Sequence, residues 1–319
     1  MNMRTNNTKQ FSEKSSIFYW MDKLIYYKRQ SGKDSTADLY RATRNWLYRF
    51  IHRRNLSVFQ ITSSLIDNFV NYLKRLGHLR MNSINSYLSG FRAMYNQIIR
   101  KMNYQPYIHP FAHVRIRLEK TVKRAVCLKT IEQIAQLDLR GNPHLDLAAD
   151  ICTFSFLACG IPFVDLVHLT YHNIEGNTLV YHRMKTRTLI RVEITSGMQH
   201  LLNKYASNSP YLFPVLPSQK VISHEQYKSL LRKYNNNLKK LGDKVNISVP
   251  FTSYVIRHTW ATEAHRYYIP IALISQALGH TTEKTTHYYL AQLDQSELSK
   301  ANARVVKTID KLIVEKSIP

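Results

Sequence analysis

The sequence predicts a mainly α protein in two units, the second an α+β unit with one small β-sheet. Three observations predict it. Apolar residues recur at helical spacing through roughly the first hundred positions. A basic stretch containing Pro106 and Pro110 then breaks the pattern. Beyond it, helical segments resume around just two alternating segments, 178–183 and 189–195. The 319 residues suit two units, at about 100–200 residues for each. A hydrophobic content of 44 % is enough for real cores.

Taken in order, residues 1–14 form a polar arm. Ile17, Trp20, Met21, Leu24 and Ile25 repeat at i, i+3, i+4 and define a first helix. Thr36 opens a second, with Tyr40, Trp46, Leu47 and Phe50 on its apolar side. Thr62 and the serines after it precede a third over 65–76, ended by Gly77 as a C-cap. Asn82 opens a fourth, with Tyr87, Leu88, Phe91, Met94, Tyr95 and Ile98 inward. These make a four-helix unit over 15–103, followed by an extended linker over 104–124.

The second unit spans 125–319. Thr130 and Gln133 have the spacing of a capping box. The run 145–158 is almost wholly apolar and reads as a buried central helix stopped by Gly160. A short helix over 163–169 follows, then the hairpin, whose turn holds Met184, Lys185, Thr186 and Arg187. Helices are expected at 196–206, 223–241, 253–268 and 270–278, with a terminal amphipathic helix over 294–315.

The net charge is +24 and the pI near 9.9. Residues 1–120 hold 21 Lys+Arg against 6 Asp+Glu, so the front third is the more basic part. Such an excess points to a polyanion, whose condensed counterions are released on binding. No window approaches the ~18 apolar residues of a bilayer span, so no membrane role is expected. The three cysteines, Cys127, Cys152 and Cys159, form no CxxC pair, which suits a reducing cytoplasm. His109 and His113 are separated by Pro110 with no further ligand nearby, so neither a metal nor a cofactor is expected. On the first unit, Arg41, Arg44 and Asn45, and likewise Asn82 and Asn85, recur at helical spacing. Such mixed faces suit phosphate positioning and base-edge contacts. Arg115, Lys123 and Arg124 on the linker could follow a phosphate backbone.

The chemistry-bearing segment is 253–290. Tyr254, Arg257, His258 and Ala261 fall at i, i+3, i+4, i+7 on one helix, an odd face for a core. Leu278-Gly279-His280 follows, where Gly279 caps a helix and turns His280 back. Nine residues later comes Tyr289, after Thr285-Thr286-His287-Tyr288.

Arg257-His258-x-x-Ala261-Thr262, then Leu278-Gly279-His280, then Thr285-Thr286-x-x-Tyr289, resembles the C-terminal signature of tyrosine recombinases of the phage-integrase family. The segments around Gly160–Leu166, Tyr181–Thr186 and Thr252–Thr262 are most similar to integrase-like recombinases of Bacteroidetes. The resemblance covers roughly residues 15–300. It implies a SAM-like core-binding unit and a catalytic unit that close on duplex DNA as a C-shaped clamp. It also implies site-specific integration, excision or inversion by a homo-tetramer on paired sites. By resemblance, Tyr289 is the nucleophile that forms a 3′-phosphotyrosine, with Tyr288 its neighbouring competitor. Arg257 and His280 hold the scissile phosphate, Lys185 protonates the leaving 5′-oxygen, Asp165 supports a neighbour, and His258 is structural.

Two positions depart from the family pattern. Pro162 stands where a second phosphate-binding Arg is usual, and the Arg found just before the glycine in related sequences is Cys159 here. Tyr254 replaces a common His. Arg183, Arg187 and Arg191, beside Lys185 on the hairpin, are the candidates to replace the missing guanidinium. If the strand continues, Arg183 and Lys185 share a face. The departures leave a second class open: a DNA-binding protein on this fold without catalysis.

Overall fold

The computed structural model describes residues 15–52, 55–116, 119, 125–207, 209–217 and 222–290. The arm 1–14, the linker residues Lys123 and Arg124 and the terminal helix expected at 294–315 lie outside the described residues. The chain divides into two compact units between Thr121 and Val122.

The first unit is built on four helices: α1 (Ile17–Gln30), α2 (Asp34–Phe50), α3 (Ser63–Arg75) and α4 (Met81–Lys101). The second begins two residues before Thr36, with Asp34 rather than a hydroxyl in its first turn, where a carboxylate meets the positive helix end. Thr62 caps α3 by accepting from the amide of Leu65. Ile17, Met21, Leu47, Phe69, Phe91 and Tyr95 close the core. Aromatic edges fix it, Phe69 against Phe91 at 6.0 Å and Phe91 against Phe111 at 5.2 Å.

Phe111 corrects the extended-linker expectation for its first part. It is 3 % exposed, and Arg92 on α4 donates to the carbonyls of Phe111 and Val114. His109 bonds Asn96 at 2.8 Å. Residues 109–114 are therefore held against α4, a packing that no periodicity in the sequence announces.

The second unit is organised around α6 (Pro143–Leu157), preceded by α5 (Leu128–Ala135). The capping box expected at Thr130 does not form. Cys127 is the N-cap of α5, and Thr130 lies inside the helix with its hydroxyl against the Cys127 sulfur. Asn142 caps α6 and Pro143 begins it, where its missing N–H costs nothing. After α7 (Phe163–Leu166) comes a three-stranded antiparallel sheet, β1 (Ile174–Glu175), β2 (Thr178–His182) and β3 (Leu189–Glu193), in that spatial order. The register pairs Leu179 with Val192 and Tyr181 with Ile190, which puts both pairs in the core. Then follow α8 (Ser196–Lys204), α9 (His224–Lys244), α10 (Ser253–Arg266), α11 (Ile271–Ala277) and α12 (Glu283–Leu290). The sequence does not announce β1 or α12. One is only two residues long, and the other has too weak an apolar face to stand out.

Candidate active site

The site begins with two helix ends. At the end of α6, Cys159 and Gly160 both take positive φ, and the amide of Gly160 closes back on Ser155 at 2.8 Å. At the end of α11, Gly279 has φ +62; its amide bonds Gln276 and that of His280 bonds Ser275. Both are Schellman closures, which reverse the chain within two residues. They bring Gly160 and Leu278 to the same guanidinium.

That guanidinium is Arg257 of α10. It is 3 % exposed, donates through Nη1 to the Gly160 carbonyl at 2.9 Å, and through Nη2 to the Leu278 carbonyl. Space here is tight: a Cβ on Gly160 would sit 2.9 Å from Cα of Arg257. Glycine at 160 thus satisfies both the left-handed backbone and the close approach.

A second guanidinium reaches the same carbonyl. Arg183, 6 % exposed, donates from Nη1 to Leu278 O. Its Nε lies 2.6 Å from Oδ2 of Asp165, in an ion pair whose angle falls outside hydrogen-bond geometry. Asp165 is held in turn by the amide of Met184, at 2.8 Å from its Oδ1. Burial pushes the Asp165 carboxyl above its ordinary value, against the pull of that amide and of Arg183 and Arg257. Gly279 lets this arm through, because a Cβ there would meet Cγ of Arg183 at 2.8 Å.

His280 lies beside the pair. Its Nε2 is 3.4 Å from Nη2 of Arg257, and its Nδ1 is 2.9 Å from the hydroxyl of Thr286, which is fully buried on α12. An Nε2 facing a guanidinium accepts, so Nδ1 carries the proton and donates to Thr286. Burial, then the charges of Arg257, Arg183 and Lys185, push its pKa down to about 4. Lys185 is exposed on the hairpin turn, and Thr186 ties that turn to the Gly279 carbonyl at 3.1 Å. Two buried guanidinia with a lysine on the adjoining turn concentrate positive charge in one place, as an oxyanion site requires.

Other expected positions fall elsewhere. β2 ends at His182, so Arg183 turns inward while Lys185 is exposed, and the two do not share a face. Arg187 is exposed with φ +61, and Arg191 is exposed and paired with Glu175 at 3.2 Å. Tyr254 is 56 % exposed and meets His258 edge-on at 4.6 Å, so the shared face with Arg257 splits into an outer and an inner side. Pro162 is the N-cap of α7, and burial pushes the Cys159 thiol up to about 11. Tyr289 belongs to α12, which packs on α10 and α11; the side chains of Tyr288 and Tyr289 lie outside the described ones. Gly279 caps its helix and turns His280 back as expected, whereas Leu278 and Thr286 carry no role in the sequence reading. The spacing of Thr286, three residues before Tyr289, is the available signal.

On the first unit, Arg41 is paired with Asp38 at 3.0 Å. Arg44 is held by Asp22 and stacked over Phe18 and Tyr48. Asn45 is exposed. Asn82 exchanges hydrogen bonds with the backbone of Glu119, both at 2.9 Å. Asn85 is only 5 % exposed, which removes it from the exposed contact face expected of it. Arg115 is exposed. No helix among the described residues is long and apolar enough to cross a membrane.

Fold and site together define a class: a two-unit, mainly helical protein whose second unit sets two buried guanidinia and a histidine beside a tyrosine-bearing helix. The chain belongs to the phage integrase family, the tyrosine recombinases. The family's catalytic model matches residues 131–296 and its SAM-like domain matches residues 16–114. The chain is 23 % identical over 256 residues to transposase A of transposon Tn554 from Staphylococcus aureus, covering 75 % of this chain and 67 % of the relative. Lambda integrase, solved as a dimer on a COC′ core site, shares the fold with TM-score 0.66 and 15 % identity, over 86 % of this chain and 96 % of that one. Its tetramer on a Holliday junction gives TM-score 0.62 and 14 % identity, over 86 % and 77 %. The XerH site-specific recombinase on a palindromic difH substrate gives TM-score 0.64 and 16 % identity, over 89 % and 83 %.

Proposed function

We propose that this chain is a site-specific recombinase that cuts and rejoins duplex DNA through Tyr289. The observation that carries the reading is the convergence of Arg257 and Arg183 on the Leu278 carbonyl, with the imidazole of His280 against Arg257. Tyr289 follows His280 on the helix that Thr286 ties to that imidazole.

The Tyr289 phenol gives up its proton to solvent as its oxygen attacks the scissile phosphorus, and the bond from phosphorus to the 5′-oxygen breaks. Lys185 gives that oxygen its proton. The products are a 3′-phosphotyrosine and a free 5′-hydroxyl. The ester stores the bond energy, so no nucleotide cofactor is required. A 5′-hydroxyl from the partner strand then attacks the ester and releases the tyrosine. Arg257 binds the nonbridging oxygens, and Arg183 supplies the guanidinium absent at Pro162. Asp165 holds Arg183 in place. Charge accumulates on those oxygens in the pentacoordinate state, where fixed donors stabilise it most. Exchange of both strand pairs calls for four protomers, the assembly in which lambda integrase was solved on a Holliday junction.

A nicked duplex carrying the target site tests this. Loss of the small fragment beyond the nick traps a covalent adduct, present in wild type and absent in Tyr289→Phe. Binding without any adduct on a target that supports recombination in cells would favour the second class, a DNA-binding protein without catalysis. Pro162 is what motivates that reading.

A further inference from the structure

We infer that a cleft between α9 and the start of α6 is a second phosphate-binding site, separate from the one that holds the scissile phosphate. Arg232, Asn236 and Lys240 lie four residues apart on α9, with Lys233 and Asn237 four apart on the adjoining row, so together they form one stripe along the helix. They line a cleft of about 480 Å³ whose other wall includes His144 of α6. Asn237 ties the walls together by donating to the His144 carbonyl at 3.3 Å.

The charge of this cleft has no internal answer. The acidic residues of α9 are Glu225 and Asp243, near its two ends and outside the cleft lining. Among the described residues, no carboxylate pairs with Arg232, Lys233 or Lys240. Three cations around one concavity repel each other, and an anion relieves that repulsion. A guanidinium, two ammonium groups and two side-chain amides are the donor set of a phosphate site, and no carboxylate lines the cleft to suit a cation.

The cleft is not an extension of the catalytic pocket. It lies at the N-terminal end of α6, whereas Gly160 lies past the C-terminal end of that 15-residue helix. That separation is about 22 Å at 1.5 Å per residue. The phosphate has two possible sources, the backbone of a nucleic acid or a free phosphate compound. Only the first rests on the recombinase reading.

The test uses the full chain and the triple variant Arg232→Gln, Lys233→Gln, Lys240→Gln. Unfolding temperature is followed with inorganic pyrophosphate, and duplex affinity is followed against salt concentration. If the source is DNA, the variant's log–log salt slope is shallower by about two to three, at roughly 0.9 for each phosphate that the variant no longer neutralises. If the source is a free phosphate, pyrophosphate raises the unfolding temperature of wild type and not of the variant, with salt slopes equal. An unchanged slope together with equal pyrophosphate response overturns the inference. Adduct formation at Tyr289, measured in parallel, reports on the catalytic reading independently. A variant melting at or above wild type without ligand confirms that it folds.

Discussion

Arg183 and Arg257, which lie 74 positions apart in the sequence, donate to a single acceptor, the carbonyl oxygen of Leu278. Two buried guanidinia repel each other, and three features hold them together. The Leu278 carbonyl lies at the negative end of α11. The carboxylate of Asp165 sits against Arg183. The Gly160 carbonyl takes the other edge of Arg257. Among the described residues, Nη2 of Arg183 has no acceptor, which leaves a donor for a bound oxyanion.

Arg183→Ala is therefore expected to slow cleavage by about 10²–10³, the scale of one lost oxyanion-hole donor. Arg187→Ala and Arg191→Ala, on exposed side chains, are expected to change it only a few-fold. Single-turnover cleavage rates check this. Equal losses in all three would mean that the hairpin matters for its charge and not for one donor.

Gly160→Ala meets both a positive φ and a backbone contact, and Gly176→Ala meets a positive φ with open space around it. The left-handed conformation alone costs roughly 1–2 kcal/mol. Denaturant unfolding should show that cost in Gly176→Ala and a larger one in Gly160→Ala. Cleavage should fall in Gly160→Ala alone, because only there does Arg257 have to move.

The pKa of His280 is depressed to about 4, from an ordinary value near 6.5. The folded state therefore favours the neutral ring. The stability this confers is complete above the unfolded pKa and is lost as pH falls from about 6.5 towards 4. A bound phosphate reverses the effect. It favours the imidazolium, whose Nε2–H can then donate to it. DNA affinity is expected to rise on going from pH 7 to pH 5 with proton uptake, and this increment should vanish in His280→Gln. Fluorescence anisotropy at matched ionic strength measures it.

Lys185→Ala is expected to cut cleavage by about 10²–10⁴, as loss of a general acid does. A substrate with sulfur in place of the leaving 5′-oxygen departs without a proton. Cleavage of that substrate should be nearly equal in wild type and Lys185→Ala. A defect of the same size on both substrates would remove Lys185 from the proton-transfer role.

Much of this site is legible in the sequence because it is written in local spacings. Arg257, Leu278-Gly279-His280 and Tyr289 lie within 33 consecutive residues, and helix ends punctuate them. Arg183 is legible only as one of three arginines, since choosing among them depends on where β2 stops. The carbonyl of Leu278 cannot be read at all: a backbone acceptor has no letter of its own. Asn85 and residues 109–114 mislead for a related reason. Tertiary burial of a polar side chain or an aperiodic segment depends on partners far along the chain.

The most direct measurement is to trap the covalent DNA adduct, digest it, and identify the modified residue by mass spectrometry. The expected result is a nucleotide esterified to the Tyr289 oxygen, with none on Tyr288 and none formed by Arg257→Ala. A phosphoester on Tyr288 or any other side chain, or a wild-type yield in Arg257→Ala, would contradict the account.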